Sequence, residues 1–342
     1  HARSANHSMN TNLQSIFMDI LNIPSVSGDE AKVAKYIQSF MVKTPFNNRT
    51  AEIEGSQLFW GPSDPSKNNF LLAGHMDTVP GHIPIEVRDG FVFGRGTVDM
   101  KSGLAVMMHL AATLDPKTLP VNLIFIFYTN EETTFTSNGM KKIADLNKSH
   151  GYLNNIDLGI VLEPTDHKIG LGCQGTLHLS VVIQGKAAHS ARPWLGDNAI
   201  DKAIPFLQKI ESIAPRSHVI EGLEFIEVLS VTQIETTNSR NIIPGTVRIN
   251  LNHRFPPTMS GEQSIEYVRS LVPEDATSSV ADVITSGKII HSPLLDDFIK
   301  RTGLPVVSKQ AYTDVGLLST LGIPALNYGP GDPALAHKDN EH

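Results

Sequence analysis

The chain has 342 residues, 40% hydrophobic and 18% charged, which is enough length and apolar content for two domains with separate cores. A net charge of −7, with no basic stripe interleaved with aromatics, argues against a nucleic-acid partner. No run of about 18 apolar residues is present to span a bilayer, and the single cysteine, Cys173, excludes an intramolecular disulfide. A cytoplasmic protein acting on a small molecule, with no membrane partner, is the expectation.

In chain order, His1 to Ser8 precede Met9 and resemble an appended leader, so Met9 is the expected native start. The C-terminus at His342 is expected to be open to a continuation. Ser27-Gly28-Asp29-Glu30 reads as a capping box ahead of a helix carrying Val33, Tyr36, Ile37, Phe40 and Met41 at helical spacing. Near-continuous apolar runs at 69–74, 121–128 and 158–162 predict strands buried on both faces, and 100–114 predicts a crossover helix between the first two. This rhythm implies an α/β domain with a mostly parallel sheet and helices on both faces.

The pattern changes after Gly175, where Leu177, Leu179, Val181 and Ile183 alternate with more polar neighbours. Asp197 is expected to open a helix that turns Ile200, Ala203, Ile204, Leu207 and Ile210 inward. Strands at 225–235 and 247–255, a helix capped by Ser260 with Gln263, and a strand near 280–284 complete a β-α-β-β-α-β order, the ferredoxin-like signature. Residues 175–288 are therefore expected to be an inserted α+β domain. The first domain comprises 9–174 and 289–342, resuming with a helix at 294–302 and a short strand at 323–328.

Potential ligands fall at the C-terminal ends of predicted strands. His75 follows the first, Glu131 and Glu132 the second, Glu163 ends the third, and His337 comes after the last. Asp99, before the crossover helix, belongs to the same sheet edge, where open α/β sheets bind ligands. Alone, each residue has an ordinary reading: a strand-end histidine is usually structural, a Glu-Glu pair is usually solvated, and Asp99 could be an N-cap. The glycines of GRGTVDMKSG do not have phosphate-loop spacing. Convergence of all of them on one edge favours a metal site. Two histidines and several carboxylates suit zinc, and also cobalt or manganese. Five candidates with a shared carboxylate suit two ions rather than one. Asp77, two residues after His75, is placed to accept the second ring N–H of that histidine and fix its tautomer. Of the adjacent glutamates, one is expected to be a ligand and the other a general base toward a metal-bound water.

The blocks GHMDTVP, GRGTVDMKSG, NEE, LEPT, GKAAHSARPWLGDNAI and GPGDPALAH together resemble the co-catalytic zinc aminoacylases and carboxypeptidases, a family that includes acetylornithine deacetylase. The resemblance spans nearly the whole chain. GCQGTL, AHSARPWLGDNAI and GPGDPALAH are most similar to its actinobacterial branch that cleaves N-succinyl-LL-2,6-diaminopimelate. What the resemblance implies is two Zn2+ per subunit, with Asp99 bridging, His75 and Glu163 completing one position, and Glu132 and His337 the other. It further implies a cis peptide after Asp99, Glu131 as the general base, and an inserted domain that forms a homodimer and closes over the substrate. His189 would stabilise the oxyanion in the partner protomer's site, and Asn241 and Arg254 would hold substrate. Arg192 is a further candidate contact, as arginine forks suit carboxylates, although an ordinary surface ion pair explains Arg192 and Arg254 equally well. Thr313 falls where the branch carries a Gly-Gly-Thr-Ser type loop, and Ala311-Tyr312 depart from that pattern. Two alternatives stand beside this reading. One is a deacylase or dipeptidase of the same family, which would share every metal ligand; the other is a non-catalytic metal-binding relative, which would have no use for a general base.

Overall fold

The computed structural model describes residues 11–342, so the expected leader and the start at Met9 lie outside the described residues. The chain forms two compact units. One comprises residues up to Leu171 with Ile289–Val307 and Thr313–His342, and the other comprises Gly172–Lys288 with Ser308–Tyr312.

The first unit begins with α1 (Leu13–Leu21), capped by the Asn12 side chain, and α2 (Ala31–Met41). Ser27 does not cap α2. Glu30 takes the N-cap position without a side-chain bond, and the Ser27 hydroxyl instead donates to Asp77 Oδ2 at 2.7 Å, a charged and therefore stronger acceptor. A hairpin of β1 (Arg49–Ile53) and β2 (Ser56–Trp60) turns through Glu54-Gly55, both at positive φ, the requirement of a tight two-residue turn. There follow β3 (Asn68–His75), the small β4 (Glu86–Arg88) and β5 (Phe91–Phe93) hairpin, α3 (Lys101–Thr113), β6 (Val121–Tyr128), α4 (Gly139–Asp145), α5 (Asn147–His150), β7 (Leu158–Pro164) and β8 (Ile169–Leu171).

In the second unit, β9 (Gly175–Gln184) leads through β10 (Ala188–His189) to α6 (Ala199–Glu211), then to β11 (Arg216–Ile220), β12 (Leu223–Glu235), β13 (Ile242–Ile243), β14 (Thr246–Phe255), α7 (Gly261–Leu271) and β15 (Thr277–Ile284). The five-stranded sheet runs β11-β12-β14-β9-β15, with every adjacent pair antiparallel. Without the extra β11, this is the ferredoxin-like order. Alternation sets its two faces: Val247, Ile249, Leu251, His253 and Phe255 of β14 are buried, whereas Arg248 and the intervening residues are not. Helix α7 carries the Ser260–Gln263 capping box. Helix α6 differs from expectation, because Ala199, Ala203, Phe206 and Ile210 face the core while Ile200 and Ile204 are exposed. The helix carries two apolar stripes, and periodicity cannot say which one meets the sheet.

The chain then returns to the first unit as α8 (Pro293–Thr302), β16 (Val306–Ser308), α9 (Val315–Thr320) and β17 (Ala325–Gly329). Its eight-stranded sheet has the order β1-β2-β6-β3-β7-β17-β8-β16. The central four strands, β6-β3-β7-β17, are parallel, with the β1–β2 hairpin antiparallel at one side. The residues of β3 alternate between two helical layers: a Cβ on Gly74 would strike Met100 and Leu104 at the start of α3, whereas Leu71 and Ala73 pack with Met140 and Ile143 of α4 and Val315 and Leu318 of α9. From β3 the chain goes to β6 on one side and later to β7 on the other. The C-terminal end of β3 is therefore a topological switch point, where such sheets bind ligands.

Candidate metal centre

All four parallel strands deliver chemistry to this end. His75 is the last residue of β3, Glu131 and Glu132 follow β6, Glu163 is the penultimate residue of β7, and His337 follows β17. Asp99 sits two residues before α3, and the Asp99–Met100 peptide is cis. The absence of a Cβ at Gly74 lets β3 approach α3 closely, since an added methyl would stand 2.7 Å from Met100 Cε.

The donors form two overlapping triads. Candidate ligand atoms of His75, Asp99 and Glu163 lie within 4.8 Å of one another, as do those of Asp99, Glu132 and His337. Asp99 belongs to both: His75 Nε2 is 3.0 Å from its Oδ1 and His337 Nε2 is 3.2 Å from its Oδ2. Glu163 Oε1 is 3.6 Å from His75 Nε2, and Glu132 Oε1 is 2.8 Å from His337 Nε2. Glu131 makes a third grouping with His75 and Glu132.

The electrostatics describe a site short of positive charge. Burial opposes charge on His75, yet the bonds to Asp77 and Asp99 outweigh it and pull the imidazole well above its ordinary range. Hydrogen bonds to Asp99 and Glu132 raise His337 to about 10. Burial would raise Asp99, but both imidazoles hold it well below the usual carboxylate range. Glu131 goes the other way: burial pushes it well up, with Glu132, Glu163 and Asp314 adding to the push and His75 opposing. Four carboxylates around two imidazoles, with nitrogen and oxygen donors and a shared Asp, fit a pair of divalent cations.

The Asp77 carboxylate does more than orient His75. His75 Nδ1 is 3.0 Å from the Asp77 carbonyl oxygen and 3.4 Å from Oδ1, so the backbone of Asp77 shares in setting the tautomer. Asp77 Oδ1 accepts the Glu131 N–H and Oδ2 the Glu132 N–H, each at 3.0 Å. One buried carboxylate therefore fixes both the first histidine and the loop bearing the two glutamates.

Thr313 is buried in the same unit, beside Asp314, which accepts from Asn138 Nδ2 at 3.2 Å. His189, Arg192, Asn241 and Arg254 belong to the second unit. There His189 pairs with Ile242 across β10 and β13, its Nδ1 accepts the Ala191 N–H at 3.1 Å, and Ser190 donates to the Asn241 carbonyl. Arg254 is half-buried on β14, its Nε donating to Asn252 Oδ1 at 3.1 Å. Sequence reasoning passed over Ser27, Asp314 and Glu341, a buried acid whose Oε1 accepts the Asp99 N–H at 3.1 Å. Ser27 was read only as a helix cap and no motif marks Asp314, although an acid four residues after His337 was a visible signal for Glu341.

A model of the peptidase family M20/M25/M40 matches residues 71–342, which include every residue of both triads. The chain belongs to this family. Among curated M20 relatives, it is 36% identical over 338 residues to the succinyl-diaminopimelate desuccinylase of Corynebacterium glutamicum, covering 94% of this chain and 89% of that protein. It is 34% identical to a putative succinyl-diaminopimelate desuccinylase of Mycobacterium tuberculosis, covering 94% and 90%. Among solved structures, an M20-like fold is shared with a tripeptidase from Staphylococcus aureus, with a TM-score of 0.75 at 20% identity over 97% of this chain and 93% of that one. A dinuclear metal-binding M20 peptidase from Bacillus subtilis aligns with a TM-score of 0.63 at 15% identity, over 92% and 86%.

Proposed function

We propose that this M20 protein is a dinuclear amide hydrolase that converts N-succinyl-LL-2,6-diaminopimelate to succinate and LL-2,6-diaminopimelate. The observation that carries the reading is the Asp99 carboxylate shared between two triads, with the raised carboxyl of Glu131 beside them. Similarity to desuccinylases over 94% of the chain supports the substrate.

Two Zn2+ ions, or Co2+ or Mn2+ in their place, would be held by His75, Asp99 and Glu163 and by Asp99, Glu132 and His337; bound there, they polarise the amide carbonyl and make water acidic. Glu131 takes a proton from the attacking water and gives it to the departing amine as the C–N bond breaks. A carboxyl held high by its surroundings suits both halves of that transfer. Asp77 keeps the Glu131 backbone in place while this happens.

In the second unit, His189 uses Nδ1 as an acceptor, which leaves the ring proton on Nε2, the tautomer needed to donate to an oxyanion. His189 fills that role in the partner protomer of a homodimer. Exposed Trp194, Leu195, Ile200 and Ile204 lie close together in sequence in this unit and support such an interface. Arg192, Asn241, Arg254 and Thr313 bind the substrate carboxylates and amine. The site of action is the cytoplasm, where the lone buried Cys173 remains a thiol.

The test is hydrolysis of N-succinyl-LL-diaminopimelate by chelator-stripped protein with zinc restored, beside acetylornithine and beside Glu131→Ala. Selective zinc-dependent turnover that disappears in the variant is expected. Turnover of acetylornithine alone would keep the metal chemistry and overturn the substrate.

A further inference from the structure

We infer that Glu341 is a positioning residue for the metal centre, holding the 94–99 loop so that the Asp99 carboxylate meets both metal positions. This inference rests on the dinuclear reading above. Glu341 is 1% exposed. Its Oε1 accepts three backbone N–H groups converging from one turn: Gly96 at 3.0 Å, Val98 at 3.0 Å and Asp99 at 3.1 Å. Its Oε2 pairs with Arg95 Nη1 at 2.9 Å, and its carbonyl accepts the Gly94 N–H at 3.2 Å. A concave turn of converging N–H groups is suited to an anion, and here the chain's own side chain fills it, while the intervening Thr97 N–H bonds the Gly94 carbonyl.

The turn is tightly packed. Gly96 has φ +86, and a Cβ there would stand 2.9 Å from Thr78 Cγ2, so the loop has little room to satisfy its amides another way. The segment bearing Glu341 is itself tied down, with Arg95 Nη1 donating to the Lys338 carbonyl at 3.1 Å and the His342 ring packed 4.8 Å from Phe93 and 5.0 Å from Phe91.

The coupling to chemistry is short. The third amide bound by Glu341 is that of Asp99 itself, the shared member of both triads. The same five-residue segment, 337–341, carries His337. One stretch of chain thus supplies a ligand directly and, through Glu341, sets the position of the residue common to both ions. A positioning role by hydrogen-bond geometry differs from one by charge alone, and the two rank substitutions in opposite order. Glu341→Gln keeps an oxygen at the same reach for the three N–H groups but loses the charge, and its NH2 faces Arg95 Nη1, which retains the Lys338 carbonyl as an acceptor. Glu341→Asp keeps the charge but is one methylene too short.

The experiment measures Zn2+ stoichiometry and affinity by chelator competition, and the visible spectrum of the Co2+-substituted protein, for the full chain and for Glu341→Ala, Glu341→Gln and Glu341→Asp. Amide hydrogen exchange at Gly96, Val98 and Asp99 is followed in the metal-free proteins. The expected result is that Glu341→Ala and Glu341→Asp lose about 10–100-fold in zinc affinity, change the cobalt spectrum and expose the three amides to exchange, while Glu341→Gln stays within about a few-fold of the parent chain. Should Glu341→Ala fail to fold, the Gln and Asp variants decide the matter by their order. Parental affinity and spectrum in Glu341→Asp, or a greater loss in Gln than in Asp, would overturn the inference. A parent chain that takes up fewer than two metal ions would instead refute the dinuclear reading, and this inference with it.

Discussion

Replacing Asp77 by Asn should loosen the metal centre before any metal is bound. In the native chain Oδ1 faces the Glu131 N–H at 3.0 Å and His75 Nδ1 at 3.4 Å, and Oδ2 faces the Glu132 N–H at 3.0 Å and the Ser27 hydroxyl at 2.7 Å. An amide has one oxygen, so its NH2 must confront one of these pairs. The Ser27 hydroxyl can rotate to accept; neither backbone N–H can. Whichever way the amide lies, one buried N–H is orphaned, at a cost of about 1–3 kcal/mol, and the surviving bonds lose their charge assistance, bringing the total to about 2–4 kcal/mol. Urea unfolding of the metal-free protein measures this directly, and chelator competition should show zinc affinity reduced about 10–100-fold. The pH dependence has a definite sign. Burial pushes Asp77 up, but the bonds from His75, Ser27 and Glu132 hold it below its ordinary 3.8. Its contribution is therefore complete above 3.8 and fades as pH falls from there toward the lower folded value, so wild type and variant should converge in acid. Unchanged metal-free stability, within about 0.5 kcal/mol, together with unchanged zinc affinity would refute the clamp.

Three further outcomes are expected. Glu131→Gln should retain both metal ions, counted by elemental analysis, while turnover falls by about 10²–10⁴-fold, the usual contribution of a general base. His337, raised from 6.5 to about 10 by Asp99 and Glu132, stabilises the metal-free fold fully below 6.5 and loses that contribution as pH rises through 10. Metal-free protein should therefore weaken across that window in thermal unfolding, zinc-loaded protein should not, and zinc added near neutral pH should release protons to an indicator dye. Gly329→Ala would place a Cβ 2.2 Å from the Leu162 carbonyl oxygen and 2.6 Å from that of Glu163. Because the clash is with backbone, β17 must shift against β7, costing about 1–3 kcal/mol in urea unfolding and displacing Glu163 enough to weaken zinc binding.

The residues that make the centre recognisable are those whose position follows from strand periodicity and chain order. Apolar runs of four to eight residues located β3, β6 and β7, and the rule that parallel sheets bind at their C-terminal edge brought His75, Glu131, Glu132 and Glu163 together without coordinates. Alternation of Leu177, Leu179, Val181 and Ile183 likewise marked β9 as a strand with one wetter face. What escaped was decided by tertiary packing. Ser27 and Glu30 have the residue types of a helix cap, but the nearby Asp77 carboxylate took the hydroxyl. Ile200 and Ile204 match a buried helical stripe as well as Ala203 and Phe206 do, and only the seating of α6 on its sheet separates them. The short β1–β2 and β4–β5 hairpins carry too little periodicity to stand out. Glu341 makes its bonds to Gly94 through Asp99, between 242 and 247 positions earlier in the chain, a separation that no local pattern encodes.

The position of β17 in the sheet has a consequence for the order of events on the ribosome. This strand lies between β7 and β8, and all the other strands beside it precede it in the chain. The second unit is nearly continuous, so it can close its own sheet while the last residues are still being made. The first unit cannot: until 325–329 emerge, β7 has an unfilled hydrogen-bonding edge, and Leu326 has yet to enter the interior. Nascent chains should pass through a state with one finished unit and one open, apolar strand edge, the form most exposed to pairing with other chains. Because His337 follows β17, the triad that includes it is incomplete in that state, and a bound metal ion would hold the joined strands together rather than seed their folding.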